Sequence, residues 1–265
     1  ETINSIAVPS AAYSLRSLTG GDPEVVNVRR SSDNNETKFT VSQINSGELA
    51  SHIGSGNDGF VETWYDQSGN NNHATQTDTD RQPKIVSSGS LLTDGIQFDG
   101  NDDLLSGTTI SSMASGAVFY VFKSEGTNEG QLFQFSNGST YSISATINSG
   151  SEGRLVASAD ASTDSRNGPV FGATGVTTNQ KHLISLILDS SAEVTTATVD
   201  GSSMSSGASP TGRFNVNQTV LSIGQRGNNS FRTQNSVPEV LIYQTDQSSN
   251  RTKLETNIMN HYSIS

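Results

Sequence analysis

Two loops carry the residues with the most chemical potential. The first is Asp66-Gln-Ser-Gly-Asn70, followed by His73; the second is Asp99-Gly-Asn-Asp-Asp103. Carboxylate, amide and backbone oxygens are the ligands calcium prefers, and planar polar groups also pair with sugar hydroxyls. Trp64, Tyr65, Asp66, Gln67, Asn70 and His73 are therefore candidate ligand-binding residues, with Trp64 and Tyr65 as a sugar-stacking platform. Asp99, Asn101, Asp102 and Asp103 are candidate metal ligands, because clustered acids repel unless a cation or hydrogen-bond donors satisfy them. The expected ion is Ca2+, although the spacing is not that of an EF-hand. Each assignment has a plainer alternative. Asp66 and Ser68 can cap a tight turn, the second loop can be a solvated turn, and Trp64 can be core.

Strands must position these loops. Phe60-Val-Glu-Thr-Trp-Tyr65 alternates, which places Phe60, Glu62 and Trp64 on one side of a pleat and Val61, Thr63 and Tyr65 on the other. Gly95-Ile-Gln-Phe98 leads into the second loop in the same way. Ala11, Leu15 and Leu18 share one face of a predicted short helix, and Ser46 to Ile53 reads as another, with Ser46 as N-cap and Gly54 as stop. Glu24 to Arg30 and Glu36 to Gln43 are predicted strands. Ala117 to Phe122 is a continuous apolar run, suited to a strand buried on both faces. Strands also fit 131–135, 141–147, 154–157, 219–224 and 239–243. His182 to Leu188 and Glu193 to Val199 are expected to pair as a hairpin, followed by a turn at Asp200-Gly201. At the end of the chain, Leu254, Ile258 and Tyr262 line one face of an amphipathic helix. About a dozen strands at roughly 8–12-residue spacing, with no linker and no internal repeat, predict one all-β domain over 1–265. Its expected form is a two-sheet antiparallel β-sandwich or jelly roll.

Composition narrows the chemistry. The 265 residues contain 31% apolar residues and no cysteine, so disulfides, zinc thiolate sites and cysteine nucleophiles are excluded. A net charge of −11 disfavours a nucleic-acid partner, since phosphate binding wants a basic patch. No apolar run approaches the roughly 20 residues of a membrane span. There is no Gly-rich phosphate loop, no Gly-x-Ser-x-Gly elbow and no metal-ligand spacing among His52, His73, His182 and His261; no organic cofactor is expected. Arg29 and Arg30 end a strand, so a buried ion pair with a loop acid is expected there, or else contact with an anionic glycan.

Five segments recur in one order: Ala12-Tyr-Ser-Leu-Arg16, Val28-Arg-Arg-Ser-Ser-Asp-Asn34, Trp64-Tyr-Asp-Gln-Ser-Gly-Asn70 with His73-Ala-Thr75, Phe98-Asp-Gly-Asn-Asp102, and Glu239-Val-Leu-Ile-Tyr243 through Asn250-Arg251. In these the chain resembles the concanavalin A-like (laminin G-like) jelly-roll domains related to the catalytic domain of fungal α-L-arabinofuranosidase B, which also occur in bacterial surface and phage tail proteins. The resemblance implies the jelly-roll fold over nearly the whole chain and a glycan or polysaccharide partner. It also implies an extracellular, cell-surface or virion location, and neighbouring domains could belong to a larger protein. Its enzyme branch is a retaining glycosidase, which needs two carboxyl groups about 5–5.5 Å apart. There the nucleophilic Glu follows a Phe-Asp-Tyr-Gly-Asn-like segment and the region carries cysteines. The nearest match here, Phe133-Gln-Phe-Ser-Asn-Gly138, is followed by Tyr141-Ser-Ile-Ser-Ala145 with no acid, so no catalytic residue is transferred. The expected function is a non-catalytic carbohydrate-binding or adhesin module. The alternatives are a glycoside hydrolase using acids such as Glu62, Glu125, Glu129 or Asp160, and a structural module of a virion fibre.

Overall fold

The computed structural model describes residues 1–108, 115–125, 130–136, 141–148, 154–159, 170–173, 176–189, 194–206, 220–224, 232 and 234–265. Among the residues singled out above, Glu129, Asn137, Gly138, Asp160, Glu193 and Thr219 lie outside them.

The chain folds into an antiparallel β-sandwich with a few short helices. One layer runs Ala11–Ser14, Gln234–Tyr243, Gly116–Ser124, Lys181–Asp189, Val194–Val199. The other runs from Tyr141–Asn148 through Gly130–Ser136, Val220–Ile223, Leu105–Thr108, Ala74–Thr75, Gly59–Trp64 and Glu24–Arg30 to Glu36–Thr40. Lys84–Ser87 and Ile96–Asp99 connect Gly59–Trp64 to Gln234–Tyr243, so the layers are joined along one side. Alternation fills the space between them: Val118, Tyr120 and Phe122 face Phe133, Phe135, Leu221 and Trp64. Strand pairing puts every second residue on the other side. There Ala117, Phe119 and Val121 meet Leu254 and Ile258 of the C-terminal helix Arg251–Tyr262. This is why 117–122 reads as continuously apolar, and why the helix needs its apolar stripe.

Three local expectations are corrected. Ala11–Ser14 is a strand and not a helix. Its four residues are almost fully buried, with Ala11 and Tyr13 in the main core and Ala12 under the C-terminal helix. Both of its edges are bonded, through register with Glu239–Ile242 and through the Gln67 N–H on the Ala12 carbonyl. Burial on both faces produces apolar spacing that imitates a helical stripe. Glu36–Thr40 ends early, because Thr40 and Gln43 form a reciprocal capping box that starts the helix Val41–Asn45. Ser46 closes that helix, and Gly47, at φ 81°, precedes the next one, Glu48–Ile53.

Candidate functional site

The first loop is turned inward onto its own chain. Asp66 Oδ1 accepts the N–H groups of Ala12 (2.8 Å) and Ser68 (2.9 Å), while Oδ2 accepts the Ser68 hydroxyl (2.7 Å) and the Asn72 N–H (3.0 Å). The His73 Nδ1 takes the Asp66 N–H at 3.1 Å. Gln67 donates to the carbonyls of Ser14 and Arg16 and accepts from the Leu18 N–H. Asn70 donates to the Ser10 carbonyl at 3.0 Å. Asp66 and Gln67 are buried. Their side chains fasten the 11–18 segment, which is the turn-capping alternative extended into tertiary contacts.

The stacking platform is also corrected. Trp64 is 0% exposed and sits 5.7 Å from the Tyr13 ring in the core, so it has no surface to offer a sugar. The cause is a β-bulge. Asn27 pairs with Thr63 and Val28 with Val61, leaving Glu62 as the extra residue. The bulge resets the parity of the strand, so that Val61 and Trp64 both reach the core while Phe60 faces out. Tyr65 is half-buried, edge-on to His73 at 5.0 Å, with Lys38 Nζ 5.4 Å from its ring centre.

Phe60 instead belongs to a row that no single motif announces. Arg29 lies opposite Phe60, Phe60 opposite Lys84, and Lys84 opposite Gln97. Directly opposed residues share a face, so four strands build one line of side chains. The line floors a cleft of about 480 Å³, in the size range of ligand sites, also lined by Thr79, Asp80, Gln82, Asp99 and Asp103. The Phe60 ring has Arg29 Cζ at 4.8 Å and Lys84 Nζ at 5.6 Å from its centre. Arg29 is buried, and its guanidinium donates to neutral acceptors: Gln82 Oε1 (2.6 Å), Asn34 Oδ1 (2.8 Å) and the Thr79 carbonyl (3.0 Å). The expected buried ion pair with a loop acid is corrected: Arg29 is buried on neutral acceptors, and Arg30 pairs at 2.7 Å with the exposed Asp33 of its own turn. Burial lowers the Arg29 pKa, partly offset by Glu36 and Asp80. Lys84 is paired with Asp58 at 2.8 Å.

The second predicted loop lines the same cleft. Asp99 accepts the Asn101 N–H (2.7 Å) and the Asn101 side-chain amide (2.9 Å), and Asp103 Oδ2 accepts the Asp99 N–H (2.9 Å). One oxygen from each of Asp99, Asp102 and Asp103 falls within 4.8 Å of the others, a spread that one calcium ion with 2.3–2.6 Å bonds could bridge. Asn101 supplies its amide N–H to Asp99 and is exposed. The carboxylates already cap their own turn, so the arrangement accounts for itself with or without an ion. Burial, then the charges of Asp99 and Asp102, push the Asp103 pKa up from 3.8 to about 7. Because the folded value lies above the unfolded one, its stabilising contribution is complete below pH 4 and is lost as pH rises to 7. Asp103→Asn keeps an acceptor for the Asp99 N–H but cannot ionise. Its stability relative to wild type is expected to rise by on the order of 2–4 kcal/mol between pH 4 and pH 8. Denaturant midpoints at both pH values check this, and a pH-independent difference would refute it.

Neither of the other described candidate acids faces a partner carboxyl across the cleft. Glu62 takes the Asn27 amide and the Thr63 hydroxyl. Glu125 takes Gln97 Nε2 (2.6 Å), the Ser236 hydroxyl (2.6 Å) and Gln234 Nε2 (3.4 Å). A second, smaller cleft of about 320 Å³ includes Lys123, Lys181 and His182. Its cations are already neutralised, by Asp94 and Asp200.

No protein-family profile matches the chain, and no curated protein matches it. Solved structures do share its fold. An arabinofuranosidase complexed with arabinofuranosyl-α-1,2-xylobiose superimposes with a TM-score of 0.72 at 14% identity, over 99% of this chain and 65% of that one. A GH54 α-L-arabinofuranosidase soaked with a cyclic sulfate inhibitor gives 0.69 at 14% identity, over 96% and 63%. A Trypanosoma rangeli sialidase in complex with the inhibitor DANA gives 0.53 at 12% identity, over 75% and 31%. At such identities the likeness is one of fold. The chain spans slightly less than two thirds of the arabinofuranosidases it matches.

Proposed function

We propose that the protein is a non-catalytic glycan-binding module whose ligand lies in the cleft over Arg29, Phe60, Lys84 and Gln97. The observation that carries this reading is the cross-strand row itself: an outward aromatic ring set among fixed polar groups in a cleft of ligand size. Apolar ring surface with a few placed polar groups is what a sugar, with its C–H faces and hydroxyls, requires. The glycan ligands of the fold's solved relatives support the ligand class. An extracellular, cell-surface or virion setting belongs to the same proposal.

Gel retardation in a panel of polysaccharides, run with calcium and again with EDTA, tests it. Phe60→Ala is expected to weaken retardation about tenfold, equivalent to about 1.4 kcal/mol, with cooperative unfolding retained. Equal retardation of wild type and variant would remove the ligand from this cleft. Absence of any binding would leave the structural-module alternative, which light scattering reads as oligomers.

One observation favours a hydrolase as the second reading. Asp103 is pushed towards the protonated form while hydrogen bonds hold Asp99 below the usual carboxylate range, and divergent carboxyl pairs mark acid–base sites. However, Asp103 is bonded to the backbone of Asp99 in the same turn, whereas a glycosidase pair flanks the bond it cleaves. Shortened polymer after incubation would decide for this reading.

A further inference from the structure

The polarity of the cleft is fixed from behind. Gln97 and Gln234 both line it. Either amide could present its oxygen or its nitrogen to a ligand, since the two ends are nearly isosteric. Glu125 removes that freedom. Its Oε2 takes Nε2 of Gln97 at 2.6 Å and of Gln234 at 3.4 Å, and Ser236 anchors Oε1 at 2.6 Å. A carboxylate only accepts, so the Gln97 amide is held with nitrogen towards Glu125, and the exposed Gln234 amide is biased the same way by its longer bond, leaving their oxygens for other partners. The lining adds the carboxyl groups of Asp80, Asp99 and Asp103. Two cations stand against these. Lys84 is neutralised by Asp58, and Arg29, bonded to the uncharged Gln82, Asn34 and Thr79, leaves one positive charge among three carboxyl groups.

We infer that the cleft is an acceptor-lined subsite selective for uncharged glycans, whose hydroxyls donate to it, over carboxylated ones, and that Glu125 is the positioning residue that sets this selectivity by orienting Gln97 and Gln234. The inference rests on the glycan-binding reading and adds the ligand class. A uronate or other acidic sugar would bring lone pairs against lone pairs and its charge against the carboxyl groups of Asp80 and Asp99 at close range. Of the two arginines that in sequence invite an anionic glycan, Arg30 is bonded to Asp33 and the His52 carbonyl outside the cleft lining, and Arg29 is held by Gln82 and Thr79 of the cleft itself.

The test is titration calorimetry of the whole chain with neutral polysaccharides, each beside its 6-carboxylated counterpart. High salt screens the general repulsion from a net charge of −11. Wild type is expected to bind at least one neutral polymer and its carboxylated form at least tenfold more weakly. Glu125→Ala, which frees both amides to rotate, is expected to narrow that ratio to threefold or less. Equal or tighter binding of the carboxylated polymer by wild type overturns the inference while leaving the glycan-binding reading in place. Binding of no polymer overturns that reading itself. An unchanged ratio in a folded Glu125→Ala removes Glu125 from the role, and if the variant does not fold, the wild-type pair still decides the ligand class.

Discussion

Glu239→Ala is expected to cost about 3–5 kcal/mol of stability, the range for breaking one partner out of a buried ion pair. Glu239 is 0% exposed. Its carboxylate receives Arg16 through Nε (2.7 Å) and Nη2 (2.9 Å), the Ser14 hydroxyl (2.8 Å) and the Tyr262 hydroxyl (3.0 Å). One side chain thus ties the first strand to the long strand and to the C-terminal helix. Its removal leaves the donors of three side chains facing a void, with Arg16 still bonded to Asn257 Oδ1 at 3.0 Å. Equilibrium unfolding in urea checks the value, and a loss below about 1 kcal/mol would mean that water replaces the carboxylate at little cost.

Asp66→Ala is expected to cost about 3 kcal/mol or more, since hydrogen bonds to a charged acceptor contribute about 1.5–3 kcal/mol each and are not fully additive. Its carboxylate gathers two hydrogen bonds on each oxygen. The Ala12 N–H is the group with most to lose, because Ala12 is 0% exposed and has no route to water. Thermal unfolding measures the loss. The same variant separates the two loops by function. Below its unfolding midpoint it is expected to bind glycan as wild type does, because Asp66 lies away from the Phe60 cleft lining. Loss of binding in the folded variant would return the ligand to the 66–73 loop.

These two residues explain why the fold could be read from the chain and the cleft could not. The segments that carry the family resemblance touch one another. Asp66 and Gln67 hold Ala12, Ser14, Arg16 and Leu18, and Ser14 and Arg16 hold Glu239. Their side chains are spent on holding the sandwich together, so they report scaffold and are silent on ligand. The C-terminal helix was equally legible, since its stripe at Leu254 and Ile258 is local. The cleft row comes from four strands with polar residues at unremarkable outward positions, and only long-range register brings them into line. One extra residue at Glu62 was enough to put Phe60 and Trp64, which strict alternation places on one face, on opposite faces of the strand. Sequence periodicity carries no mark of that bulge.

The strand Ala11–Ser14 has a consequence in time. Its partner is Glu239–Ile242, and Ser14 and Glu239 are 225 residues apart. Closing a loop of that length precedes any reward from the contact, and topologies dominated by such pairings fold slowly, in milliseconds to seconds. During synthesis the first strand can meet Asp66 and Gln67 early, but its sheet pairing must wait until Glu239–Ile242 has left the ribosome. The pairing of Ala11–Ser14 is thus among the late events of assembly, and the buried Glu239 cluster is the latch that closes it.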